Sequence, residues 1–247
     1  MRSTPEAIVV TGASSGIGEA IAADLAGHGY VVACLSRRGT VPATEVVEPA
    51  RLVGISCDVS DEAARVAAVD EVLALGLQVG GLVNAAGFQV QTASAELPLE
   101  ELHQVLDTNL VGSFRMCQLL YPALKGRDPG SLIVNIGSFY GKLGVPNFLA
   151  YSASKAALAA MTRTLGVEWA RDGISVLDVA PGYIETGLNA DFLSEPGNRE
   201  LLARKVPVKR LGSSDEVARL VSVLFRERIG FLTGETIFID GAQGVRL

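Results

Sequence analysis

Seven short runs of aliphatic residues, separated by longer segments of helical periodicity, constrain this chain more than any other feature. The runs are Ala7 to Val10, Tyr30 to Leu35, Leu52 to Cys57, Leu82 to Asn84, Leu132 to Ile136, Ser175 to Val179 and Thr236 to Ile239. They are nearly continuous in Val, Ile and Leu rather than alternating, as suits strands buried on both faces of a parallel sheet. Helical patterns occupy Ile17 to Gly27, Asp61 to Ala74, Leu99 to Lys125, Tyr151 to Ala170 and Asp215 to Phe225. Strand alternating with helix predicts an open α/β sheet covered on both sides.

Helix punctuation agrees. Ser60-Asp61-Glu62 and Ser213-Ser214-Asp215-Glu216 read as N-caps with carboxylates in the first turn, and Gly27-His28-Gly29 as a helix stop. No linker, repeat or low-complexity stretch divides the 247 residues, so a single domain over 1–247 is expected. The one long segment of weak periodicity, about 181–212, reads as a substrate loop beyond a strand's carboxyl end, where open α/β sheets bind ligands.

With 21 basic against 27 acidic side chains, the net charge is −6, and the only adjacent arginine pair is Arg37-Arg38. That balance argues against a nucleic-acid partner. No apolar run reaches the roughly 18 residues of a membrane span, and no signal-peptide core precedes the first strand, so a cytoplasmic location is expected. Cys34, Cys57 and Cys117 lack ligand spacing and read as small buried hydrophobes; with His28 and His103 isolated and Trp169 a lone aromatic, no metal is expected.

Chemistry begins at Thr11-Gly12-Ala13-Ser14-Ser15-Gly16-Ile17-Gly18, between the first strand and the first helix. Glycines there permit a tight turn and let backbone approach a pyrophosphate at the helix N-terminus, although the same turn could serve only strand-to-helix packing. The second strand ends in Ser36-Arg37-Arg38 instead of the carboxylate that would receive a ribose 2′-hydroxyl. A guanidinium suits a 2′-phosphate, which favours NADP(H) as cofactor. Asp58-Val59 and Asn84-Ala85-Ala86-Gly87 end the next two strands. Asp58 reads as a partner for the adenine amino group or as a cap, and Asn84 as a cofactor-facing residue or a buried amide tying strands together.

Tyr151 and Lys155 lie four apart on one helix face. An ammonium about 4 Å from a phenol is worth about 4 kcal/mol at an effective dielectric near 20, which would draw the phenol about three pH units toward neutrality. Thirteen residues earlier, Ser138 follows the fifth strand, placed to donate to a substrate carbonyl or to cap a turn.

Taken in order, Thr11-Gly12-x-x-x-Gly16-x-Gly18, Asp58, Asn84-Ala85-Ala86-Gly87, Asn109, Ser138, Tyr151-x-x-x-Lys155 and Pro181-Gly182-x-x-x-Thr186 resemble the short-chain dehydrogenase/reductase family over the whole chain. The resemblance implies a Rossmann-like, doubly wound, seven-stranded parallel sheet in the order 3-2-1-4-5-6-7. It implies Tyr151 as general acid, Lys155 holding the nicotinamide ribose, Ser138 polarising the carbonyl, and Asn109 kinking its helix and supporting a water relay. Pro181, Gly182, Ile184 and Thr186 would face the nicotinamide. Where the family pattern has a second Asn, this chain has Ala85.

The chain looks most like the 3-oxoacyl-(acyl-carrier-protein) reductase branch, through the Tyr151 helix, Ala180 to Thr186 and Thr233 to Thr236. NADPH-dependent reduction of a 3-oxoacyl thioester is therefore the expectation, with an alcohol, polyol or hydroxysteroid dehydrogenase as the alternative and a non-catalytic NADP-binding regulator more remote. Phe88, Phe139, Tyr140, Phe148, Tyr183, Leu188, Phe192 and Leu193 form the expected substrate pocket. An acidic acyl carrier protein would want a basic patch, for which Arg115, Lys125, Arg163 and Arg171 are candidates. By resemblance a homotetramer is expected, pairing the Leu99–Lys125 and Tyr151–Ala170 helices, the latter through Ala156, Ala157, Ala159 and Ala160.

Overall fold

The computed structural model describes residues 6–43 and 51–245. Its strands are β1 (Glu6–Thr11), β2 (Val31–Ser36), β3 (Leu52–Ser56), β4 (Gln78–Asn84), β5 (Ser131–Ile136), β6 (Ile174–Pro181), β7 (Ile184–Glu185), β8 (Gly212–Ser213) and β9 (Thr236–Ile239). Seven of them form one parallel sheet in the order β3-β2-β1-β4-β5-β6-β9, as expected, while β7 and β8 pair separately.

Both faces of that sheet are covered. Helix α1 (Gly16–Gly27) and helix α8 (Ser214–Glu227) press Ile21, Leu25, Val217, Val221 and Phe225 onto one side. On the other, α2 (Glu62–Ala74), α4 (Ser113–Leu124) and α5 (Leu149–Trp169) contribute Val69, Val72, Met116, Leu120 and Leu165. The unbroken aliphatic strands follow from this, since successive side chains point to opposite sides and both sides are dry. Caps lie where the sequence placed them: Asp61 accepts from the Ala64 amide at 3.1 Å, and Ser213 and Glu216 form a reciprocal capping box.

Three elements depart from the sequence expectation. Strand β4 starts at Gln78, four residues early, because Gly80 and Gly81 disguise it; a Cβ at Gly81 would overlap the Phe225 ring. The Leu99–Lys125 helix is not uniform: α3 (Leu99–Leu106) passes through a π-helical turn, Asp107–Gly112, before α4. Segment 181–212 is not an irregular loop. It carries β7, a 3-10 turn at Gly187–Asn189, α6 (Ala190–Ser194), α7 (Asn198–Lys205) and β8. Those helices are too short to show periodicity in sequence.

Candidate active site

Parallel strands deliver most of the candidate motifs to one edge of the sheet, because they follow strand carboxyl ends, while Asn109 comes from the π turn and Tyr151 and Lys155 from α5. Gly12 turns the chain at φ +68°, and a Cβ there would lie 2.8 Å from Ala86 Cα. Thr11 Oγ1 accepts from the Ala85 and Ala86 amides, each at 3.1 Å, tying the glycine turn to the Asn84–Gly87 turn. A Cβ at Gly16 would come 3.6 Å from Thr186 Cβ, so the Pro181–Thr186 segment reaches the same turn. Gly18 abuts the Gly12 carbonyl, leaving no room for a side chain. Ser15 is the N-cap residue of α1 yet makes no side-chain cap bond, and Ser14 lies beside it. The first-turn amides therefore lack a side-chain cap, as suits a pyrophosphate.

Beyond β2, Arg37 and Arg38 are exposed, while Ser36 Oγ is buried without a hydrogen-bond partner. Asp58 Oδ1 accepts from the Ser60 amide at 2.9 Å and the Ser60 hydroxyl at 2.7 Å, which together hold its carboxyl below the usual range. The turn reading of Asp58 is thus visible in the geometry. So is the structural reading of Asn84, whose Nδ2 donates to Asn135 Oδ1 at 2.9 Å and to the Ser113 carbonyl at 3.3 Å. The side chains of Val59 and Ile184 belong to the hydrophobic cores, which leaves only their backbones for a ligand. A dinucleotide fits this cradle: glycines where a Cβ would collide, uncapped helix amides and two free-facing guanidinium groups.

Asn109 sits in the π turn, 1 % exposed, and clamps Phe88 by accepting from its amide and donating to its carbonyl, both at 3.0 Å. Its Nδ2 also donates to Ser154 Oγ at 3.0 Å, joining the turn to α5. Ser154 was not a sequence candidate; its place one residue before Lys155 was the available signal.

Ser138 caps a 3-10 turn, Phe139–Gly141, accepting from the Tyr140 amide at 3.2 Å. Its hydroxyl also draws the pKa of the Tyr151 phenol downward. Lys155 Nζ donates to the Ile136 carbonyl at 2.7 Å and lies 5.6 Å from the Tyr151 ring centroid, over the ring. This corrects the expected electrostatics. Burial raises the Tyr151 pKa, opposed by Ser138, and Lys155 does not reverse it. Burial also lowers Lys155 to about 8, the nearby Asp178 charge opposing that shift. Desolvation outweighs the through-space attraction of the lysine for the phenolate.

Around the phenol, Tyr140 packs edge-on against Tyr151, Phe148 and Tyr183, with centroids at 5.8, 5.3 and 6.4 Å. Phe139 is 3 % exposed and supports this cluster from behind, against Tyr140 and Tyr183, instead of facing a ligand. Phe88 and Phe192 stand outside the ring cluster; Leu193 is half-buried, and the Leu188 side chain lies outside the described residues. All three cysteines are buried, and burial pushes Cys34 and Cys117 up to about 12 and Cys57 to about 11.

The site and fold together define an oxidoreductase of the CH-OH/C=O type, and comparison with known proteins agrees. The family described as Enoyl-(Acyl carrier protein) reductase matches residues 12–243. A 3beta-hydroxysteroid dehydrogenase of Eggerthella lenta is 32 % identical, over 96 % of this chain and 92 % of that protein. A longer short-chain type dehydrogenase/reductase of Sinorhizobium fredii is 36 % identical, over 95 % of this chain but 43 % of its own length. A gluconate 5-dehydrogenase from Burkholderia cenocepacia, solved in complex with NADP and tartrate, superposes with TM-score 0.89 at 28 % identity, covering 100 % of this chain and 98 % of that one. The chain belongs to the short-chain dehydrogenase/reductase family.

Proposed function

We propose that this protein is an NADP(H)-dependent reductase of a small, apolar ketone, working through Tyr151, Ser138, Lys155 and Asn109. The observation that carries this reading is the Ser138–Tyr151–Lys155 cluster, in which a phenol under the influence of a serine hydroxyl packs against the Tyr140 ring, with a buried ammonium over its own ring. Bound NADPH would supply the hydride. Tyr151, held protonated by burial, would give its phenolic proton to the carbonyl oxygen. Ser138 would donate to that oxygen as charge develops. Lys155 would face the nicotinamide ribose and replenish charge beneath the phenol, while Asn109 fixes the Phe88 wall and the α5 start. Gly12 to Gly18, Ala85 to Gly87 and Pro181 to Thr186 would border the dinucleotide, and Arg37-Arg38 would receive its 2′-phosphate.

An apolar ring-lined mouth favours a free ketone over an acyl group delivered by an acidic protein. In a parallel α/β layer the helices run back from the site edge, so Lys125 and Arg171, beyond the ends of α4 and α5, lie at the far edge. Arg115 is spent on Glu62. A basic dock for an acyl carrier protein at the mouth is thereby left without most of its candidates. The test follows NADPH oxidation against a steroid ketone, an aryl ketone, a sugar ketone and an acetoacetyl thioester. Turnover of the steroid or aryl ketone is expected; turnover of the thioester or sugar ketone alone would overturn the substrate class.

A further inference from the structure

A carboxylate lies buried behind the catalytic lysine. Asp178 is 1 % exposed, in the middle of β6 between Leu177 and Val179, on the side facing α5. Its Oδ2 accepts the Thr236 hydroxyl at 3.0 Å, and Oδ1 has no hydrogen-bond partner. Strand β5 makes space for it: a Cβ at Gly137 would overlap Oδ1, so glycine is needed there. The preceding carbonyl, Ile136 O, is the one that Lys155 Nζ holds at 2.7 Å. Ammonium and carboxylate thus flank the Ile136–Gly137 peptide. Both line a cavity of about 300 Å3, together with Ser138, Arg163, Glu235 and Thr236.

A carboxylate held this far from bulk solvent is costly to ionise unless a charge answers it. The charged groups facing Asp178 are Lys155 and Arg163 from α5, Lys142 beyond β5 and Glu235 before β9. Arg163 and Glu235 are exposed, and Lys142 Nζ lies over the Phe238 ring at 5.2 Å. Lys155 is the buried one. We propose that Asp178 is a positioning residue that acts through Lys155, its carboxylate being the counter-charge that keeps the ammonium protonated in a desolvated site. This rests on the reading of Lys155 as the ammonium beneath Tyr151. The mutual influence of the two groups agrees with it: burial raises Asp178 to about 6 and lowers Lys155 to about 8, and each charge opposes the other's shift. Interacting groups of this kind titrate as a pair.

The test reads Lys155 directly, by 15N NMR of its Nζ, assigned by loss of the signal in Lys155→Met. Asp178→Asn, which keeps the shape and an acceptor for Thr236, is expected to lower the Lys155 midpoint by at least about one pH unit. Thr236→Val, which removes a hydrogen bond but no charge, should leave it in place. In turnover, Asp178→Asn should move the alkaline limb of kcat for ketone reduction downward by the same amount, with little change in the ketone KM. A midpoint unchanged in Asp178→Asn overturns the inference even if the variant is less stable, because a merely structural role predicts that result. Should Asp178→Asn not fold, the wild-type Asp178 carboxyl carbon decides: a second inflection at the Lys155 midpoint supports the pairing, and its absence overturns it. These spectra stand whether or not any ketone is reduced, so failure of the proposed reaction is seen separately, as inactive wild-type protein.

Discussion

At the scale of single residues, burial decides the chemistry more than proximity does. Tyr151 and Lys155 share a helix face, as four-residue spacing requires, but their sequestration drives both toward the neutral form. A protonated phenol is the state a ketone reduction needs, so the raised Tyr151 pKa serves that direction. Lys155 has a folded pKa below its unfolded value, so it costs stability at pH below about 8, and the cost is relieved as pH rises toward 10.5. Ser138, Tyr151 and Lys155 were legible in sequence because each carries a reactive group at a fixed offset from a strand end. Asp178 was not, although one acid inside Ile174–Pro181 is a signal in itself, since a strand packed on both faces offers an acid few polar partners. Cofactor choice is also a matter of single side chains. Exchanging Arg37-Arg38 for Asp-Ala should lower the kcat/KM preference for NADPH over NADH by at least about tenfold, in line with the loss of a charge-assisted bidentate contact. An unchanged ratio would remove the 2′-phosphate from this site.

At the scale of elements, the sequence showed whatever repeats often enough to be periodic. Helices α1, α2, α5 and α8 lie within a few residues of their expected positions because each is long enough to show its periodicity, and α2 and α8 also begin at recognisable caps. The start of β4 was hidden by two glycines, of which Gly81 admits the Phe225 ring and Gly80 lies against Arg228 and Glu6, and the π turn by an Asn whose reason is tertiary, the clamp on Phe88. Helices α6 and α7 each present too few turns for a pattern. Capping is the element-level feature most open to measurement. Ser213 accepts from the Glu216 amide at 3.2 Å and Glu216 returns a bond to the Ser213 amide at 3.0 Å, at the start of a helix that packs along α1. Ser213→Ala should cost about 1 kcal/mol in urea unfolding, read as a lower midpoint at constant slope.

At the scale of the whole molecule, one side of the sheet ends in a helix layer that exposes a row of small and apolar residues. Along α5, Ala153, Ala156, Ala160 and Val167 are exposed, with Val167 80 % accessible, whereas Ala157 and Ala159 are half-buried. Val111 in the π turn and Leu149 are exposed as well. Small residues in such a row let two helices approach closely, in keeping with the expected pairing of copies through this layer. Pairing through this layer predicts that Val167→Glu shifts the protein toward smaller species in light scattering coupled to size exclusion; a wild-type monomer would refute the pairing. Among the described residues no helix is long and apolar enough to cross a membrane, and no three His, Cys, Asp or Glu side chains form a metal cluster. The proposed reaction draws its groups from one sheet edge and routes its proton through the Tyr151 phenol. The most direct test is NADPH oxidation with a steroid or aryl ketone by wild-type protein and by Tyr151→Phe, alongside NADPH binding to both. Loss of at least about a hundredfold in kcat with NADPH affinity retained is the predicted result, and near-normal kcat in the Phe variant would contradict it.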